Sequence, residues 1–381
     1  MKILYVANLR LPTEKAHGLQ IMKTIEAFID LGHEVILLVP RRRNPINESV
    51  KDFYHLRQLP KIAYVPNYVA VLEPVFHKLY FVLQRILFGV SAYIYGLFSD
   101  ADVVYSREIT ISFFLSLSGK KVVYEDHEPK GRFRSLYVFF LKHIPFKVVV
   151  ALNLLDLYRS AGISTKAVIY APNGVDLDEF KNIPADRGVW REFGLRPDKK
   201  IALYVGHFYA WKGVYTLLDA AKSLVNREDY QVVLIGGTSV DHEKVRTYIE
   251  KHAIEHVTLL SFMSHRDVVG LMKSADILVL PNTAREERSK NYTTPIKLFE
   301  YMASGVPIVA TDVPSFAPYI KNGENAFLCE ADNPQALAQV IAEAAYSPTR
   351  EKVATNAQKT AESYTWEARV RAILDMPAFR A

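Results

Sequence analysis

The stretch from Asn291 to Asp312, Asn-Tyr-Thr-Thr-Pro-Ile-Lys-Leu-Phe-Glu-Tyr-Met-Ala-Ser-Gly-Val-Pro-Ile-Val-Ala-Thr-Asp, constrains the fold more than any other. It predicts a loop, a helix, a turn and a strand. Pro295 suits a helix start, where its missing N–H is not needed. Ile296, Phe299 and Met302 recur at helical spacing, Ser304-Gly305 ends the helix, and Val306 to Ala310 is a short apolar strand. Glu300 is the odd member, because a carboxylate among apolar neighbours is costly unless something binds it. The backbone N–H groups of Ile296 and Lys297 lie at the positive end of the helix dipole and form a ready anion site. An anion site with a carboxylate one turn deeper suits a nucleoside diphosphate, with phosphates on the amides and ribose hydroxyls on the acid. The plainer alternative is a solvated glutamate on an ordinary helix of a parallel sheet.

The same rhythm runs through the chain. Lys2 to Asn8 reads as a strand, Gly18 to Leu31 as a helix with Leu19, Met22, Ile25 and Ile29 on one face, and Glu34 to Pro40 as a second strand. Strands are also expected at 102–106, 121–124, 147–152 and 166–170, and then at 201–206, 230–237, 257–262 and 277–281. Alternating strands and helices predict doubly wound parallel sheets, and 381 residues suffice for two domains with their own cores. The expected division is 1–180, joined by a C-terminal helix at 365–381, and 181–364, with the polar stretch 181–200 as a linker. No GxGxxG and no Walker A loop occurs, so neither a nicotinamide nor a P-loop site has support.

Charge is uneven. Residues 1–176 hold 22 Lys and Arg against 15 Asp and Glu, and residues 177–381 hold 25 against 26. The basic half suits an anionic partner such as a membrane surface or a phosphorylated acceptor; an even spread serving only solubility is the alternative. Nucleic acid is not expected, because no binding module appears. Leu79 to Phe98 is long and apolar enough to raise a membrane span, but Gln84, Arg85 and two glycines oppose one. A buried helix of the first domain is expected there, with an interfacial helix as the functional alternative. The N-terminal apolar run is too short for a signal peptide, and the single cysteine, Cys329, fits a reducing compartment. A cytoplasmic location, or one at the inner face of the membrane, is therefore expected.

Glu125-Asp-His-Glu128 follows a strand, and three flanking carboxylates predict a raised pKa for His127. Consecutive residues cannot all converge on one ion, so no metal is expected there. Arg132 and Arg134 are candidates to neutralise these acids. Asp176-Leu-Asp178 reads as part of the Asn173-Gly174 turn, and 282–291 as a charged, mobile loop.

Lys297-Leu-Phe-Glu-Tyr-Met-Ala-Ser-Gly-Val-Pro-Ile-Val-Ala resembles the signature of the family 4 retaining glycosyltransferases (glycosyl transferases group 1). Three other segments resemble family motifs: His17-Gly18 in place of a Gly-Gly pair, Asn173-Gly-Val-Asp, and Gly206-His207 to Lys212-Gly213 in place of Gly-Arg to Lys-Gly. The resemblance implies an α/β GT-B fold, two Rossmann-like doubly wound domains facing a central cleft. It implies a metal-independent transfer of a sugar from a UDP- or GDP-linked donor to a glycan, lipid-linked or other hydroxyl acceptor, as in polysaccharide synthesis, with no cofactor. His127, Lys212 and Glu300 would be catalytic. Gly18, Gly206, His207, Gly213, Met263, Thr294, Pro295, Ile296 and Lys297 would bind the donor. Tyr292 stands where the family has a second glutamate, and Glu286 or Glu287 is a candidate substitute. Segment 41–75 would face the acceptor, and Trp366 would pin the last helix, which crosses back to the first domain. A nucleotide-sugar epimerase and a non-catalytic nucleotide-sugar-binding scaffold on the same fold are the alternatives.

Overall fold

The computed structural model describes residues 1–66, 77–129, 134–224 and 230–380. The chain divides into two compact units, Met1–Asn173 with Trp366–Ala381, and Gly174–Thr365. The change of unit thus falls between Asn173 and Gly174 rather than at residue 180.

The first unit is built on seven strands: β1 Lys2–Val6, β2 Glu34–Pro40, β3 Lys61–Val65, β4 Val103–Ser106, β5 Val122–Asp126, β6 Phe146–Val149 and β7 Val168–Tyr170. All pair in parallel, in the order β3-β2-β1-β4-β5-β6-β7. The central strands are apolar on both faces, as a sheet covered on both sides requires. The order reverses direction between β1 and β4, and open α/β sheets bind ligands beyond the strand ends at such a point. Segment 41–66 contains the short helix Val50–Phe53 as well as β3; the rest of the expected acceptor-facing segment lies outside the described residues.

The helix His77–Phe98 departs from the expectation of a buried element. Tyr80, Gln84, Phe88 and Ala92 are buried, while Val82, Ile86, Val90 and Ile94 on the opposite side are exposed. Only one stripe of the helix reaches the cluster formed by Leu4, Val104 and Leu115. Apolar composition alone could not reveal that the other stripe stays in solvent.

β5 runs two residues further than expected, which places Glu125 and Asp126 inside the sheet. Asp126 accepts hydrogen bonds from the hydroxyls of Tyr137 and of Tyr158, the latter at 2.7 Å. Glu125 is paired at 2.7 Å with Arg369 on the helix Trp366–Leu374, which packs on the helix Ala16–Asp30. Gln20 Nε2 donates to the same carboxylate at 2.7 Å, and so does the Tyr105 hydroxyl. Burial alone would raise the Glu125 carboxyl; Arg369 and the His127 hydrogen bond hold it well below the usual carboxylate range. The acid's neutralising partner is therefore Arg369. Arg134 is exposed on the helix Arg134–His143, and Arg132 lies outside the described residues.

The second unit has six strands: β8 Lys200–Val205, β9 Tyr230–Ile235, β10 Val257–Leu260, β11 Ile277–Leu280, β12 Ile308–Thr311 and β13 Phe327–Cys329. They pair in parallel in the order β10-β9-β8-β11-β12-β13, with the reversal between β8 and β11. The expected linker is part of this unit. Trp190 in the turn Arg187–Phe193 is fully buried, and its Nε1–H donates to the Ser274 carbonyl at 2.9 Å. Arg187 pairs with Asp276 at 2.8 Å. Asp176 caps the helix Leu177–Asn182 by accepting from the Asp178 N–H at 3.2 Å. Cys329 is a buried free thiol, pushed up to about 12 by burial and by Asp312.

Arg369→Met leaves the Glu125 carboxylate buried without its counter-ion, at a cost of about 3–5 kcal/mol. The thermal unfolding temperature of this variant should fall markedly. Adding Glu125→Gln should recover much of the loss, because a neutral amide needs no cation.

Candidate functional site

The second unit gathers its charged groups at the reversal between β8 and β11. β8 ends at Val205, and the loop from Gly206 leads into the 3₁₀ turn Ala210–Lys212 and the helix Val214–Leu224. Gly213 has φ +73°, and a Cβ there would lie 1.6 Å from the Pro281 carbonyl oxygen. The turn therefore rests directly on the end of β11, which only glycine permits. A Cβ on Gly206 would lie 3.5 Å from Lys212 Nζ, so the ammonium sits over the end of β8. Lys212 Nζ is 5.4 Å from the centre of the Trp211 ring and 5.8 Å from that of Tyr209, and the Arg288 guanidinium is 4.7 Å over Trp211. Burial, with repulsion from Lys297 and Arg288, pushes the Lys212 ammonium down to about 8.

The helix Ile296–Ser304 faces this cluster through Lys297. Leu298 N–H bonds to the Pro295 carbonyl at 3.0 Å, which leaves the Ile296 and Lys297 amides as the orphan donors of the helix end. Glu300 is 2% exposed, so the solvated reading of this residue does not hold. Lys297 Nζ pairs with Glu300 Oε2. On its other side Glu300 Oε1 is 3.9 Å from His265 Nε2, which is 2.8 Å from Glu179 Oε2. The Tyr301 hydroxyl accepts from the Val205 N–H at 2.8 Å and ties this helix to the last residue of β8. Thr294 is buried, with its hydroxyl 3.4 Å from that of Tyr319. Met263 is half-buried, just before the Ser264 cap of the helix that His265 begins.

Lys212, Lys297 and Glu300 thus belong to one constellation, with Gly206 and Gly213 shaping its floor. The His207 ring stacks on Tyr209 at 5.0 Å, and its Nδ1 is 4.0 Å from Asp241. The cation beside Lys212 is Arg288, which sequence reasoning missed because 282–291 was expected to be a mobile loop. It contains instead a π-helical turn, Arg288–Tyr292, with Ser289 buried. The side chains of His265 and Glu179 were not among the expected site residues, because only their contact in the fold sets them beside Glu300. Tyr292 is half-buried, whereas Glu286 and Glu287 are exposed; Glu287 accepts from Asn291 Nδ2 at 2.7 Å.

In the first unit, His127 follows β5, and its Nε2 lies 2.5 Å from Glu125 Oε1. The expected rise in its pKa is reversed. Burial and the nearby Arg107 outweigh the carboxylate and push the imidazole down to about 4. Arg107 Nη1 donates to Gln20 Oε1 at 2.8 Å, which links it to the Glu125 network. His17 is likewise pushed down to about 4 by burial and by Arg107. A Cβ on Gly18 would lie 2.4 Å from the Tyr54 hydroxyl and 2.5 Å from Thr13 Cγ2, so this turn packs tightly against its neighbours.

Two parallel sheets of reversed strand order, each with its helices, define the fold class, and comparison shows what the chain is similar to. Residues 187–360 match the model of glycosyl transferases group 1. That stretch is similar to the family, and the two parallel sheets with their helices match GT-B structures. It is 25% identical to an uncharacterized glycosyltransferase of Methanocaldococcus jannaschii over 265 residues, 68% of this chain and 66% of that one. It is 28% identical to the phosphatidyl-myo-inositol mannosyltransferase of Mycobacterium tuberculosis over 235 residues, 60% of this chain and 58% of that one. The chain therefore spans somewhat less than two thirds of these relatives' lengths. Anabaena HepE in complex with UDP and glucose superposes with a TM-score of 0.77 at 17% identity, covering 98% of each chain. Sucrose-phosphate synthase from Thermosynechococcus elongatus gives 0.78 at 16% identity, covering 98% of this chain and 97% of that one.

His17 and His127 are held near pKa 4 in the folded chain, against about 6.5 when unfolded. The unfolded chain therefore binds more protons between these values, and stability falls as pH drops from about 6.5 to about 4. Replacing both residues by glutamine should flatten the dependence of unfolding temperature on pH in that window.

Proposed function

We propose that this chain transfers a sugar from a nucleotide diphosphate donor to a hydroxyl acceptor, with retention at the anomeric carbon and without a metal. The observation that carries the reading is the convergence of Lys212, Arg288 and Lys297 around a free helix end, with buried Glu300 one turn deeper. Glu300 answers Lys297, and the buried Lys212 ammonium, repelled by Lys297 and Arg288, gains from a further anion. A diphosphate is an anion of the right charge, and it gains charge as the glycosidic bond breaks. Lys212 and the amides of Ile296 and Lys297 would take that charge, and positioned groups of this kind stabilise a leaving group more than they stabilise the substrate.

Glu300 would accept hydrogen bonds from the ribose hydroxyls. A carboxylate has room for these beside Lys297, since its two oxygens offer about four acceptor positions. Met263 and Thr294, on the flanking segments, would border the nucleoside. In the reaction the C1–oxygen bond to the diphosphate breaks, and the acceptor oxygen bonds to C1 from the same face. The acceptor's proton passes to the departing phosphate oxygen, so no enzyme nucleophile is needed. The UDP and glucose held by Anabaena HepE support UDP-linked sugars as the first donors to test. A glycan or lipid-linked acceptor, as in polysaccharide or glycoconjugate synthesis, is the class proposed. His127, neutral at neutral pH, would act as a hydrogen-bonding group and not as a cation.

Lys212→Ala and Glu300→Ala should each lower transfer by about 100-fold or more while the unfolding temperature stays close to that of the parent. Full transfer by either variant refutes the site. Sugar release only when an acceptor is present separates transfer from epimerisation, and nucleotide binding with no sugar release would mark a scaffold.

The Lys212 ammonium is charged below about pH 8 and neutral above it. UDP affinity, measured by calorimetry, should therefore weaken as pH rises through about 8. Lys212→Arg should remove that break, because arginine keeps its charge.

A further inference from the structure

The helix His77–Phe98 carries two rows of side chains at four-residue spacing on opposite sides. One row, Tyr80, Gln84, Phe88, Ala92 and Gly96, is buried. The other is exposed: Val82, Ile86, Val90 and Ile94 at 49–57%, and Phe98 at 86%. A solvent-facing helix stripe is ordinarily polar. Here it is entirely apolar, while the only amide of the two rows, Gln84, is inside, bonded to Arg42 at 2.6 Å.

The apolar surface continues onto two neighbouring helices. Phe114 of the helix Ile109–Leu117 meets Tyr93 edge-on, with ring centres 6.2 Å apart. Its neighbour Phe113 lies 5.6 Å from Phe139 of the helix Arg134–His143. Phe114, Leu117, Leu136 and Phe139 are all about half exposed or more. A contiguous patch of this kind marks an interaction surface.

The charges say what it fits. The three helices contain no Asp or Glu, and their exposed cations include Arg85, Arg134 and Lys142; the carboxylate beside them is Glu108, which precedes the helix Ile109–Leu117 and lies 4.0 Å from Arg85. Apolar rows among cations that outnumber the one neighbouring carboxylate are the chemistry of an anionic lipid surface. A second copy of the chain would set the same cations against each other across a two-fold contact. The helix is long and apolar enough to cross a membrane by length and composition. However, Phe88 and Ala92 belong to the core beside Leu4 and Val104, so lipid cannot surround it.

We propose that this face of the first unit docks onto an anionic bilayer. The row Val82, Ile86, Val90, Ile94 and Phe98 enters the acyl boundary, and Arg85, Arg134 and Lys142 meet the headgroup phosphates. The proposal uses none of the groups assigned to donor binding, so it stands or falls apart from the transfer reading.

The test is sedimentation of the full chain with vesicles of phosphatidylglycerol and phosphatidylcholine in equal parts, and with phosphatidylcholine alone. The parent chain should pellet with the mixed vesicles and much less with the neutral ones. Ile86→Glu with Val90→Glu should reduce binding by about tenfold or more with no change in unfolding temperature, since both positions are exposed. Val240→Glu, at a comparably exposed site in the second unit, should bind like the parent. The proposal is overturned if the parent fails to bind mixed vesicles, if it binds neutral ones equally, or if the double variant binds unchanged. It is also overturned if light scattering shows a parent dimer that the double variant dissociates, which would assign the face to a second copy.

Discussion

A parallel sheet delivers its loops and the N-termini of its following helices to the edge where the strands end. Each returning helix must start there, with its unsatisfied amides at the same edge. In the second unit this geometry sets the turn after β8, the segment after β11 and the start of the helix Ile296–Ser304 near one another. Lys212, Arg288 and Lys297 then add full charges to the partial charge of the helix end. The contact of Gly213 with the Pro281 carbonyl and the Tyr301–Val205 hydrogen bond hold the parts in register. Glu300 answers one of these charges through Lys297.

The first unit uses the same sheet differently. Its strand-end edge holds a buried network in which Arg107, Gln20, Glu125, His127 and Arg369 are linked by hydrogen bonds and ion pairs. The network binds the last helix of the chain into the unit and keeps the histidines neutral. The outer helices of this unit present an apolar face bordered by Arg85, Arg134 and Lys142.

Much of this was legible in the sequence. Helical spacing and apolar runs located the helix after Pro295 and nearly every strand, because each reports a local period that burial enforces. Glu300 stood out as a carboxylate on an apolar helix, and its burial follows from that setting. Charge neighbourhoods were read less well. The carboxylates adjoining His127 in sequence suggested a raised pKa, yet Arg107 and burial dominate. Arg288 was hidden in a charged run that sequence alone could not distinguish from a loop.

The sequence by itself determined the alternation of strands and helices, the presence of two parallel sheets and the position of the helix start after Pro295. These depend on residues close together along the chain. Only the tertiary structure decided that Arg369 answers Glu125, that Arg288 stands beside Lys212, and which row of the helix His77–Phe98 remains in solvent. Pairing across long separations and burial against distant strands depend on where the backbone brings groups together, and no local pattern encodes that.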